Sequence, residues 1–136
     1  MNQMEKTLGY LDEMGILYKE VSDGTWVLKL GTEAVDAPPV FMANAGVVVV
    51  FTSALGEIKD PQTASGLMER ALRLNADELV HARYGLEGER LILTGSLALE
   101  NIDRNEVQGL LDDMEMGIDM HYDELNNWGK ESQSQE

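Results

Sequence analysis

Near the end of the chain, Val107, Leu110, Leu111, Met114, Ile118, Tyr122 and Leu125 recur at spacings of three and four. Carried over about five turns, that stripe demands a long amphipathic helix with one face to bury. Asp103 stands where an N-cap is needed, since its carboxylate can accept the free N–H groups of a first turn. Gly109 and Gly117 each weaken such a helix by about 1 kcal/mol relative to alanine and read as points of close packing. The covering partner must come from upstream, where the pattern turns from helical to extended.

The chain begins with a shorter helix over Gln3–Met14, in which Met4, Leu8, Leu11 and Met14 share one side and Gly15 supplies the stop. Strand signals follow at Ile16–Val21 and Thr25–Thr32, separated by Ser22-Asp23-Gly24. Pro38-Pro39 precedes two more, Val40–Ala43 and Gly46–Thr52. The run Val47–Phe51 has apolar residues on both faces and predicts a central strand covered on both sides. Asp60-Pro61 is expected to open a second helix ending at Asn75, a residue that tolerates the left-handed conformation. Ala82, Tyr84 and Leu86 then alternate with polar neighbours, Glu87-Gly88-Glu89 turns the chain, and Arg90–Leu99 returns. Helices segregated around hairpin-connected strands give an α+β fold, with an antiparallel sheet of five to six strands and three helices. One domain is expected over 1–128, with a disordered polar tail at 129–136.

Charge removes whole classes of function. The 136 residues carry 25 Asp and Glu against 10 Lys and Arg, a net charge of −15. Nucleic-acid binding requires clustered cations, so no nucleic-acid partner is expected. The absence of cysteine excludes disulfides and thiolate metal sites. There is no basic-then-apolar leader and no apolar run of bilayer length, so the sequence predicts a cytoplasmic protein without a membrane partner. Neither a phosphate-binding glycine motif nor a nucleophile elbow is present, and Ser65-Gly66 falls within a predicted helix. No catalytic residue, cofactor site or metal site is assigned, and an enzyme is not expected.

The acids are unevenly placed, with eleven in residues 100–136 against two bases. Asp112, Glu115, Asp119 and Asp123 line up along one side of the last helix. Asp119, His121 and Asp123 do not converge on a metal, because helical residues two apart point about 200° from each other. His121 instead falls beside the apolar stripe and is expected to pack there, whereas His81 is expected at the surface. Eight methionines is a high number, and Met116 and Met120 sit off the stripe next to the acids. Methionine re-packs readily and is over-used at adaptable binding surfaces. The candidate partner-binding residues are therefore Met116, Met120, Asp112, Glu115, Asp119 and Asp123.

Leu72-Arg73-Leu74-Asn75-Ala76, Ala82-Arg83-Tyr84-Gly85-Leu86 and Arg90-Leu91-Ile92-Leu93, followed by the long acidic helix, resemble the YbjN family of small bacterial proteins. That family in turn is similar in fold to type III secretion chaperones, with element order α-β-β-β-α-β-β-α. The resemblance implies a non-catalytic homodimer that holds a polypeptide segment on apolar surface. Its alternative is a regulatory or adaptor domain sensing a small ligand or metal. The sequence shows one strand more than that order, or a single strand broken at Asn44-Ala45-Gly46. The second helix and the hairpin from His81 to Leu99 are the surfaces expected to pair.

Overall fold

The computed structural model describes residues 2–33, 36–58 and 64–134, the side chains of 127–134 excepted. Asn2 opens the first helix, α1 (Gln3–Glu13): its Oδ1 accepts the Glu5 N–H at 2.7 Å, and its Nδ2 donates to the Glu5 carboxylate. Gly15, at φ 73°, ends it where any side chain would strain. Four strands follow, β1 (Leu17–Ser22), β2 (Thr25–Lys29), β3 (Val40–Asn44) and β4 (Val48–Glu57). The helix α2 (Ser65–Asp77), the hairpin β5 (Arg83–Glu87) and β6 (Arg90–Ala98), and the closing helix α3 (Arg104–Ser134) complete the chain.

All six strands form one antiparallel sheet in the order β1-β2-β3-β4-β6-β5. β3 and β4 pair with each other, so Asn44-Ala45-Gly46 lies in a hairpin turn and four separate strands precede α2. Along one face Trp26, Met42, Phe51 and Gly95 stand in register, and the helices pack on this face. The α3 stripe closes the core: Val107, Leu110, Leu111, Met114, Ile118 and Leu125 are buried, with Tyr122 at its margin. Each such side chain is worth about 1.5–3 kcal/mol of burial, which is why α3 tolerates its two glycines. Asp103 caps α3 as expected, accepting the Glu106 N–H at 2.8 Å while Glu106 accepts the Asp103 N–H at 3.3 Å.

Several expectations are corrected. The valine-rich strand is buried on one side only: Val49, Phe51, Ser53 and Leu55 face the core, while Val48, Val50 and Thr52 face out and are half-buried. Asn75 does not end α2, which continues to Asp77. Its amide instead pairs with the backbone of Tyr84, donating to the carbonyl at 3.1 Å and accepting the N–H at 2.7 Å. That pairing occupies the free edge of β5, so the asparagine acts as a strand cap rather than a helix cap. The backbone of α3 runs to Ser134. The expected cap at Asp60-Pro61 lies outside the described residues.

Candidate functional site

Three surfaces and one internal cluster are built by this architecture. The first surface is the outer flank of α3. Asp112, Asp119 and Asp123 are exposed there, Glu115 is half-buried, and Met120 is 61% exposed. Met116 is partly buried and packs against the core, so it contributes less free surface than the sequence predicts. Two of the four acids are already engaged by the segment after β2. Asp119 Oδ1 accepts the Glu33 N–H at 2.7 Å, and Glu115 accepts the Gly31 N–H. Burial pushes the Glu115 carboxyl above its usual range, with the charges of Asp119 and Asp112 adding to the shift. Beside it a cleft of about 590 Å³ opens between the end of α1, the end of β2 and α3.

The second surface, the sheet face opposite the helices, has no sequence signal of its own. Strand register carries Lys19, Val27, Phe41, Thr52, Thr94 and Arg83 across it in a single row. Leu17 and Lys29 stand beside that row, as do Val50 and Ala43. Among the described residues no helix packs over this face, and Phe41 and Leu17 remain 40% and 69% exposed. At its β1 end a groove of about 470 Å³ runs between the strands and the 37–39 segment, lined by Leu17, Lys19, Val27, Lys29, Pro38 and Pro39. An apolar sheet face with an open edge strand at β1 can take up an extended chain, since alternate side chains of such a chain would face the sheet. Alternation in the sequence could reveal the inward residues, but only the tertiary arrangement shows that the other side is left bare.

The third comprises Leu72 on α2, Val80 in the loop after it and Leu86 on β5, all exposed; Leu72 and Val80 are 67% and 80% exposed.

The internal cluster ties the α2–β5 loop to α3. Gly109, Asp113, Gly117 and His121 fall four residues apart on α3, and each meets the segment 78–84. A Cβ at Gly109 would stand 2.8 Å from His81 Nε2, and one at Gly117 would press on Leu93 and Tyr84. Both glycines therefore mark close packing, as the sequence predicts. Asp113, unlike its neighbour Asp112, is buried: its Oδ2 accepts the N–H groups of Val80, His81 and Ala82 at 3.1, 2.8 and 2.6 Å.

His121 is buried as expected, with Nδ1 2.8 Å from the Tyr84 hydroxyl and Nε2 2.5 Å from Glu78 Oε2. Burial, with the charges of Glu78 and Asp113 adding, holds the Tyr84 phenol well above its usual range, so it remains a donor. Both ring nitrogens are thus taken up by Tyr84 and Glu78, and the cluster reads as a structural clasp. Asp119 and Asp123 lie at the surface while His121 points inward, and no metal-holding group occurs among the described residues.

Comparison with known proteins bears on these surfaces. No curated protein matches the chain in sequence. Among solved structures, the heterodimeric ExoU–SpcU complex from the type III secretion system of Pseudomonas aeruginosa contains a similar chain, with a TM-score of 0.62 at 17% identity over 88% of this chain and 94% of that one. YbjN from E. coli is similar at TM-score 0.58 and 16% identity, over 85% and 88% of the two chains. The Yersinia pestis type III secretion chaperone SycH, solved with a fragment of YscM2, gives 0.54 at 14% identity, over 81% and 93%. At these identities the likeness is one of fold, and it matches the antiparallel six-stranded sheet with three helices described above. The family model CesT_Tir_1 matches residues 1–131, and the chain therefore belongs to this family of type III secretion chaperones.

Proposed function

We propose that the protein is a non-catalytic, cytoplasmic chaperone-like module that holds an extended segment of a partner polypeptide along its open sheet face. The observation that carries this reading is the distribution of cover. The helices shield one face of the sheet, and the row from Val27 through Phe41 to Thr94 lies bare on the other. The family match supports it, as do similar chains solved with the partners ExoU and YscM2. Apolar contact on such a face favours a peptide by about 25 cal/mol for each Å² removed from water. The flank of α3, with Met116, Met120, Asp112, Glu115, Asp119 and Asp123, serves as an accessory surface that steers basic stretches of the partner. Two copies pair through the exposed Leu72, Val80 and Leu86, and light scattering should return the mass of a dimer.

The test is affinity capture of the tagged full chain from native cells with crosslinking, beside a Phe41→Asp variant. A polypeptide retained by the parent and lost with Phe41→Asp supports the reading. Retention unaffected by Phe41→Asp, or no polypeptide after crosslinking, overturns it.

A further inference from the structure

We infer that the segment held on the open sheet face is itself acidic, with Asp or Glu alternating with apolar side chains and seated on Lys19, Lys29 and Arg83. This rests on the reading of that face as a polypeptide-holding surface and names the chemistry of the occupant. The starting point is which cations the protein leaves unpaired. Arg70, Arg73, Arg90 and Arg104 each meet a glutamate, with Glu124, Glu69, Glu87 and Glu13 respectively. Among the described residues, the cations without an ion pair are Lys6, Lys19, Lys29 and Arg83. In a chain with 25 acids, pairing is easily found, so cations left without it are informative. Three of the four project from one surface, the bare face of the sheet, and only Lys6 on α1 does not.

Register gives the arrangement. Lys19 and Arg83 are the two ends of the row Lys19-Val27-Phe41-Thr52-Thr94-Arg83, and Lys29 stands two residues beyond Val27 on the same face. The strand acids on this face are Glu57 and Glu87, which flank Arg90 at the far hairpin end. The row is therefore apolar or hydroxylated in the middle and positive at both ends. Five strand spacings of about 4.8 Å separate those ends by roughly 24 Å. An extended segment crossing the sheet advances about 3.3 Å per residue, so its two carboxylates would stand six or eight positions apart, on the same side of the segment.

Other occupants fit less well. Nucleic acid would meet three cations on a protein of net charge −15. The acidic α3 flank of a second copy has the right sign, but a head-to-tail contact of unlike surfaces assembles rings or filaments rather than the dimer proposed above. Salt alone does not discriminate, because it weakens the local pairs while also screening the long-range repulsion between an acidic segment and an acidic protein.

The experiment is selection of binders from a displayed library of random twelve-residue peptides against the full chain. Measurement of the selected peptides on variants by fluorescence anisotropy follows. Binders whose affinity is lost with Phe41→Asp should carry Asp or Glu alternating with apolar residues. They should weaken about tenfold on the triple variant Lys19→Glu, Lys29→Glu, Arg83→Glu, and hold their affinity on Lys6→Glu, which adds negative charge elsewhere. Panning against the triple variant should return basic peptides instead. Binders that need Phe41 but are neutral or basic, or that ignore the charge reversal, overturn this inference and leave the sheet-face reading standing. Binders indifferent to Phe41→Asp, or no binders at all, overturn both.

Discussion

Asp112 and Asp113 are adjacent, chemically identical and opposite in role. Asp112 is exposed, whereas Asp113 lies inside and accepts three consecutive backbone N–H groups from Val80 to Ala82. Those donors belong to the loop that carries the chain from α2 back to β5, and no strand or helix ladder satisfies them. Removing the acceptor leaves buried or half-buried N–H groups with their desolvation uncompensated, at about 1–3 kcal/mol for each that water cannot reach. Asp113→Ala should therefore lower unfolding free energy in urea by about 3 kcal/mol, while Asp112→Ala stays within about 0.5 kcal/mol of the parent. Equal losses from the two variants would show that the loop is held by something other than this carboxylate. Nothing in residue type separates the pair in sequence. The only available signal is helical phase, which places position 113 on the same stripe as Gly109, Gly117 and His121.

The elements were legible in proportion to how local their causes are. The α3 stripe and the Asp103 cap follow from spacings of three and four, and the structure keeps them. Asn75 was misread because its partner, Tyr84, is nine residues away and belongs to a strand. The Val47–Phe51 run was misread because a valine-rich strand has the same composition whether its second face is covered or bare. The same reason hid the candidate binding surface, since no residue pattern reports that a neighbour is missing. Helix-on-sheet packing is likewise non-local, and Gly95 shows its consequence. Gly95 stands on β6 opposite Phe51, and a Cβ there would overlap the fully buried Leu110 of α3. Overpacking of this kind costs about 1–3 kcal/mol, so Gly95→Ala should destabilise by that amount despite relieving the strand of a glycine. Adding Leu110→Ala opens the space the new methyl needs, and the double variant should lose less than the sum of the two single losses in chemical denaturation. Strict additivity would mean that α3 and β6 do not meet at this point.

At the scale of the whole molecule, the −15 charge is sorted rather than spread, with a helical layer rich in acids on one side and unpaired cations on the bare sheet face. Such sorting gives the molecule a direction along which a charged partner is oriented, and it places a standing strain on the acidic side. Glu115 reports that strain, because it combines partial burial with the neighbouring charges of Asp119 and Asp112, which together push its carboxyl above the usual carboxylate range. A carboxyl whose folded-state pKa exceeds its unfolded one binds its proton more tightly when folded. Its favourable contribution is thus complete below about 4.5 and is lost as pH rises through the folded value. At neutral pH the ionised group opposes folding, and replacing it by an uncharged isostere removes that opposition while keeping an oxygen for the Gly31 N–H. Glu115→Gln should accordingly raise the thermal midpoint at pH 7, by an amount that shrinks as the buffer is taken down through the carboxylate range and vanishes once Glu115 is protonated. Added salt at pH 7 should shrink the same difference, because screening relieves the repulsion from Asp112 and Asp119 that the substitution also removes. A gap between parent and variant that is constant from pH 7 to pH 4 would mean that Glu115 acts through packing, and that the acidic layer imposes no electrostatic cost on the fold.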